Sequence, residues 1–169
     1  MAKKKTNSFY LRETIEVNTG PAQESMDLSV YVDPVNKQGL LIRQVDFIWY
    51  DSTTFLPLDP NVDWQGAIQI HDTALGGLAD LENTHQVASG SILAVQSSTV
   101  TKSQDFFPDR LGMAKGEGRI VVNDTLEICT DGSASIPGNA VVCCVMEVQV
   151  VRLTEKDYIS LALQSVADA

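Results

Sequence analysis

Apolar and polar residues alternate along most of this chain at the two-residue period of a β-strand, and only the end changes to helical spacing. The alternation is cleanest over residues 26–33. There Met26, Leu28, Val30 and Val32 fall on one face, before Pro34 and the turn residues 36–39 stop the pattern. Residues 40–50 form a longer β-branched and aromatic run. Val45, Phe47 and Trp49 share one face and Asp46, Ile48 and Tyr50 the other, which predicts a central strand covered in part on both sides. Residues 9–17 predict a first strand closed by Asn18-Thr19-Gly20-Pro21, and Trp64, Gly66, Ile68 and Ile70 mark another. Further strands are predicted over 91–100, over 104–107 as a short edge piece, and over 119–130 as one strand or two joined at Asn123-Asp124. Residues 140–153 are the most β-branched run of all. Two prolines make 51–63 a loop, Gly76-Gly77 makes 75–88 irregular, and 112–118 and 131–139 read as turns.

At Thr154 the period changes. A threonine three residues before Asp157 predicts a helix N-cap, and Glu155 and Asp157 suit the positive end of the helix dipole. Ile159, Ala162, Leu163 and Val166 then give one apolar stripe, to be buried against the domain or a neighbouring subunit. The pattern as a whole predicts an all-β protein. It is an eight-stranded antiparallel β-sandwich of jelly-roll type over residues 9–153, with a flexible basic arm at 1–8 and a docking helix at 154–169.

At 169 residues the chain suits one domain, and 44% hydrophobic with 20% charged residues excludes both a disordered protein and one built of membrane spans. The net charge is −10, from 22 acids against 12 bases, so the folded body should repel polyanions. Lys3, Lys4 and Lys5 stand apart from this. Setting their three positive charges against the net −10 leaves −13 on residues 6–169. Such an arm could solubilise, reach a neighbouring subunit or touch nucleic acid, but three lysines make too few phosphate contacts for tight binding. No apolar stretch follows the lysines, so no secretory signal is expected, and the glycosylation pattern at Asn123-Asp124-Thr125 reads as chance.

Candidate chemistry is sparse. Cys129, Cys143 and Cys144 have no CxxC or Cys/His spacing, which argues against a disulfide scaffold or a structural zinc site, and they read as small buried hydrophobes. Cys143 and Cys144 must point to opposite faces of their strand. His71-Asp72 with His85 is the one histidine and carboxylate grouping, and it reads as surface histidines near a loop. Residues 59–63 copy the start of a calcium loop, yet Trp64 stands where glycine is needed and Ile70 where a bidentate acid is needed. An irregular calcium site from Asp51, Asp59 and Asp63 is the weaker alternative to solvated acids. The glycines of 112–118 lack the ending of a phosphate loop, and Ser133 and Ser135 have no histidine near in sequence. Neither a catalytic set nor a cofactor is therefore expected. Trp49, Tyr50 and Trp64 read as core and interface residues, but Phe106 and Phe107 are adjacent and point to opposite faces, so one of them should reach a protein contact.

With its basic arm at Lys3, its strand texture including Arg119-Ile-Val-Val-Asn-Asp-Thr-Leu-Glu-Ile-Cys129 and its terminal helix from Thr154 to Val166, the chain resembles a single jelly-roll viral capsid protein. The resemblance implies a structural subunit, not an enzyme. Such a subunit self-assembles through loops and termini into a symmetric homo-oligomer or virion shell, with other shell proteins, in the virion or the cytoplasm of an infected cell. Phe106 and Phe107 would serve a loop contact, and Ile159, Leu163 and Val166 a helix contact. The arm is shorter and less basic than those of many RNA-packaging shells, so weak or no direct nucleic-acid binding is expected. A ligand-recognition β-sandwich, carbohydrate-binding or adhesin-like and calcium-assisted through the acidic loops, is the alternative reading.

Overall fold

The computed structural model describes residues 3–58, 62–80, 83–96, 99–106 and 118–167. Among these residues the elements in chain order are β1 (Lys3–Lys4), β2 (Phe9–Glu16), β3 (Ala22–Asp27), β4 (Gln38–Asp51), β5 (Trp64–His71) and β6 (Gln86–Val95). They continue with β7 (Thr99–Phe106), β8 (Arg119–Val121), β9 (Thr125–Gly132), β10 (Ala140–Arg152) and the helix α1 (Glu155–Ala167). All strand pairing is antiparallel. In the first sheet β10 is central, with β1 and β2 along one side, β4 on the other, and β8 beyond β4. The second sheet runs β3-β9-β5-β6-β7.

These pairs are nested. β2 lies with β10, β3 with β9, β4 with β8 and β5 with β6, as in one long hairpin folded at the β5–β6 connection. Rolling that ribbon up brings β10 against β4 and β9 against β5, which is the double Greek key of a jelly roll. The predicted all-β jelly roll with one C-terminal helix is the fold observed. β1 and β7 are additions to the eight strands of the roll. β1 prolongs the edge contact with β10, and β7 pairs outside β6.

The core lies between the two sheets, where Leu40, Ile42, Val45, Ile68, Ile128 and Met146 lose all contact with solvent. Strand β4 serves it with two parities. Leu40 and Ile42 face inward, and so do Val45 and Phe47, because the register against β10 shifts between Glu147 and Val148 and leaves Arg43 as the extra residue of a β-bulge. Without that residue one half of the strand would turn its apolar side to water.

Three expectations from the sequence need correction. The run over 26–33 is not one strand, since β3 stops at Asp27 and Val30 is exposed. Asp27 Oδ1 accepts the Ser29 amide at 2.8 Å, and Leu28 O accepts the amides of Tyr31 and Val32, so local hydrogen bonds curl the chain where period two would have kept it straight. Residues 91–100 are likewise two strands, β6 beginning at Gln86 and β7 at Thr99, which pair with each other. The arm is not free from Lys3 onward. Lys3 and Lys4 pair with Arg152 and Val151, the Lys5 amide donates to Val150 O at 2.9 Å, and Thr6 O accepts from Gln149 Nε2 at 2.6 Å. Unsatisfied backbone groups on the outer side of β10 hold it there.

The connections gather at two ends. At one end 17–21, 51–58 and 133–139 meet, the Gly20 amide reaching Gly132 O and the Ser52 amide Asn139 O. At the other, 28–37, 72–80 and 122–124 meet, with the Leu28 amide on Asp124 O and the Asn123 side chain on Asp72 O.

Candidate functional site

Helix α1 starts as the sequence predicts. Thr154 Oγ1 accepts the Asp157 amide at 3.2 Å, Thr154 O accepts the Tyr158 amide, and Lys37 Nζ meets Glu155 Oε2 at 3.0 Å. The helix covers part of the outer face of the first sheet, where Tyr158, Leu161 and Ala162 pack on Leu41, Val122, Val151 and Leu153. The predicted stripe is therefore divided. Ala162 docks, while Ile159 and Leu163 face away at 50% and 64% exposure. Apolar residues span an arc wider than one contact covers, and the sheet takes the side centred on Tyr158 and Ala162. Val166 lies in the last turn of the helix.

Exposed apolar side chains also mark both ends of the roll. In the turn after β4, Phe55 stands 75% exposed with a φ of 59°, next to exposed Leu56, and its ring lies 6.2 Å from that of Tyr50. At the opposite end Val30 and Val35 are exposed. Phe106 ends β7, and Phe107 lies outside the described residues.

Of the calcium candidates, Asp51 and Asp63 accept hydrogen bonds from the chain. Asp51 Oδ1 accepts the amides of Thr53 and Thr54 at 2.7 and 2.8 Å, and its other oxygen accepts from Asn139 Nδ2. The Thr54 amide, the first cause, with the Thr53 amide and Asn139 holds the Asp51 carboxyl below its ordinary range against the opposing effect of burial. Asp63 Oδ1 accepts the Gln96 amide at 2.8 Å, and Asp59 lies outside the described residues. The side chains of Lys3, Lys4 and Lys5 are exposed on a segment bound to β10, and Lys5 Nζ donates to Gln38 Oε1.

The histidines are not on the surface as expected. His71 and His85 keep no more than 2% of their area in contact with solvent, because 72–80 folds back over the outer face of the second sheet. Two linked polar groups lie beneath it. In one, His85 Nδ1 lies 2.8 Å from Asp72 Oδ1, and Asp72 Oδ2 accepts from Arg119 Nη2 at 2.6 Å. In the other, Gln69 and His71 of β5 pair directly with Cys129 and Glu127 of β9. His71 Nδ1 is 3.8 Å from both Cys129 Sγ and Glu127 Oε2, and His71 Nε2 is 3.1 Å from Gln69 Oε1.

Two members of the second group, Gln69 and Glu127, are held by the chain above them. The Gln69 oxygen accepts the Ala79 amide at 2.7 Å and its nitrogen donates to Ala79 O at 2.9 Å. Glu127 accepts the amides of Leu75, at 2.5 Å, and Gly76. Burial lowers the His71 pKa in spite of the Glu127 and Asp72 carboxylates, so the ring is held neutral. Burial, with Glu127 beside it, pushes the Cys129 thiol up to about 12. Cys129 is thus buried as expected, but among polar groups on the far side of its sheet from the core that Cys144 enters.

Sequence reasoning missed this group. The available signal was two polar pairs at i, i+2, Gln69/His71 and Glu127/Cys129, each on one face of a predicted strand. Only the roll makes the two strands neighbours.

No protein-family model matches the chain, and no curated protein matches it in sequence. Among solved structures it is similar to a chain of Desmodium yellow mottle tymovirus, at 10% identity over 88% of this chain and 84% of that one, with a TM-score of 0.39. A chain of Turnip yellow mosaic virus is similar at 10% identity over 90% and 86%, with a TM-score of 0.40. Another structure of Turnip yellow mosaic virus, at 100 K, gives 8% identity over 90% and 99%, with a TM-score of 0.37.

Proposed function

We propose that this protein is a structural subunit of capsid type, which assembles with copies of itself into a closed symmetric shell. The observation that carries the reading is where an acidic jelly roll exposes its apolar side chains. Ile159 and Leu163 stand on the outward side of a helix whose other side is already docked, Phe55, Leu56, Val30 and Val35 on loops at both ends, and Tyr10, Ile48 and Leu93 on the strands. A subunit in a closed shell meets neighbours on several sides, and each such patch is then an anchor within a polar rim.

Charge shapes the assembly. Subunits of net −10 repel one another, so association strengthens as salt screens them or a divalent cation bridges them. The same charge disfavours a genome held tightly by the body of the subunit, and Lys3, Lys4 and Lys5 supply too little counter-charge to reverse that.

The test is the mass of the purified protein by light scattering across salt, with negative-stain images of the same fractions. Discrete rings or shells that grow with salt, and that the pair Ile159→Asp and Leu163→Asp disperses into folded monomers, are the expected result. A monomer under every condition overturns the proposal and favours a ligand-recognition sandwich, for which glycan binding and calcium titration are the next measurements.

A further inference from the structure

We propose that His71 Nδ1, Cys129 Sγ and a carboxylate oxygen of Glu127 form a binding site for one divalent transition-metal ion of the zinc class, seated between β5 and β9 beneath residues 74–80. Whether or not the protein builds a shell, the site would belong to the single subunit.

The first support is geometric. The three donor atoms all lie within 4.8 Å of one another, and the two separations that involve His71 are 3.8 Å. Ligand bonds of about 2.0–2.3 Å in a tetrahedron place donors roughly 3.3–3.6 Å apart, so a shift of a few tenths of an ångström brings His71 to ligand spacing from each of the other two, and a shift of about an ångström at most closes the Cys129–Glu127 side. Spacing in the sequence hides this, because the ligands come from two strands and only two of them share one.

The second support is the tautomer of His71. Ala79 fixes the Gln69 amide at both ends, its N–H on the oxygen and its carbonyl on the nitrogen, so the atom facing His71 Nε2 is an acceptor. Nε2 must then carry the proton, and the lone pair is on Nδ1, aimed at Cys129 and Glu127. A metal-bound histidine is oriented in the same way, by a hydrogen bond from its other nitrogen. The backbone amides of Leu75 and Gly76 fix the carboxylate in turn. A fully buried imidazole nitrogen, a fully buried sulfur and a fixed carboxylate oxygen thus converge on one point.

Donor chemistry selects the ion. Imidazole and thiolate disfavour calcium and magnesium and suit zinc or cobalt. Binding converts the Cys129 thiol to a metal thiolate and releases its proton to solvent, after which thiolate and carboxylate balance the two positive charges. A surface pocket of about 260 Å³, lined by Gln23, Ser25, Ala74, Thr125 and Glu127 among others, leads to the Glu127 side of the group and offers a route inward.

The experiment titrates the metal-free full-length protein with cobalt(II) and then zinc, under reducing conditions. One equivalent of cobalt per chain should give a thiolate-to-cobalt charge-transfer band in the near ultraviolet with release of one proton, and zinc should displace it. Cys129→Ser should abolish the band and Cys143→Ser should keep it, with circular dichroism checking each fold. Gln69→Ala, which removes a positioning residue and no ligand, should weaken binding by about 10- to 100-fold. Absence of the band and of proton release in the unaltered protein would overturn the site, leaving a hydrogen-bonded cluster in which the Cys129 thiol donates to Nδ1. So would a band that survives Cys129→Ser or disappears in Cys143→Ser. Should Cys129→Ser fail to fold, a Gln69→Ala affinity equal to that of the unaltered protein would overturn it.

Discussion

Arg119 and Asp72 join the two sheets, for Nη2 of the first lies 2.6 Å from Oδ2 of the second, where β8 begins in one sheet and β5 has just ended in the other. Arg119 also donates to Thr84 O at 2.7 Å and to Gln86 O at 3.3 Å, so one guanidinium ties Asp72 to the start of β6. The pair is largely buried, with side chains 15% and 11% exposed. Removing one member leaves the other charge without its partner in a poor solvent for charge. Arg119→Met should therefore cost about 3 kcal/mol, read as a lower urea midpoint at unchanged slope. A double-mutant cycle with Asp72→Asn should give a coupling above about 1 kcal/mol. A coupling near zero would mean that the carbonyl contacts, not the ion pair, hold this end together.

The two faces of α1 should separate stability from association. Leu161 packs on the cluster of Leu41, Val151 and Leu153, and Leu161→Ala should cost about 1–2 kcal/mol in denaturant unfolding. Leu163 is exposed, and Leu163→Ala should stay within about 0.5 kcal/mol of the unaltered protein. Loss of the cap in Thr154→Ala should cost about 1 kcal/mol. Equal losses at 161 and 163 would contradict the assignment of faces.

Gly66 has no room for a side chain. A Cβ there would come within 2.8 and 2.9 Å of Cζ3 and Cη2 of Trp49, which crosses to it from the opposite sheet. Gly66→Ala should cost about 1–3 kcal/mol and shift the Trp49 fluorescence, whereas Gly77→Ala, with nothing within 4 Å of the new carbon, should leave that fluorescence as it is. A Gly66→Ala protein as stable as the parent would show that the indole has space to move.

Acid should loosen the turn after β4. The Asp51 carboxyl is held below its ordinary range chiefly by the Thr54 amide, so folded Asp51 binds its proton less readily than the unfolded chain does. The contribution of this group to stability is thus present above the unfolded pKa, at about pH 4, and is lost as pH falls through the lower folded value. Amide resonances of Thr53 and Thr54 should shift together with a midpoint below about pH 4, and Asp51→Asn should abolish that step. A midpoint above that value would contradict the hydrogen bonds as the cause.

Period-two patterning made β4, β5 and β10 legible because each has one face in the core, and the Thr154 cap made α1 legible because its chemistry is local. It misread residues 26–33, where alternation continued through Leu28, Val30 and Val32 while Asp27 and Leu28 closed a turn by hydrogen bonds that the pattern does not register. The group around His71 stayed hidden for a different reason. Polar residues on the outer side of a strand ordinarily face water, and here 74–80 covers them, a relation that exists only after the roll has brought β5 beside β9. Ile159 and Leu163 were visible as apolar positions, but which part of the arc the sheet would take depended on where α1 came to rest.

The central position of β10 has a kinetic consequence. Between β2 and β4 there is a gap one strand wide until residues 140–152 arrive, after both flanking strands have long been synthesised. The first sheet therefore cannot assemble progressively as the chain leaves the ribosome. It must hold β2 unpaired and β4 paired on one side only, and close on the last strand across separations of roughly 100 residues or more, which is the slow and aggregation-exposed class of folding.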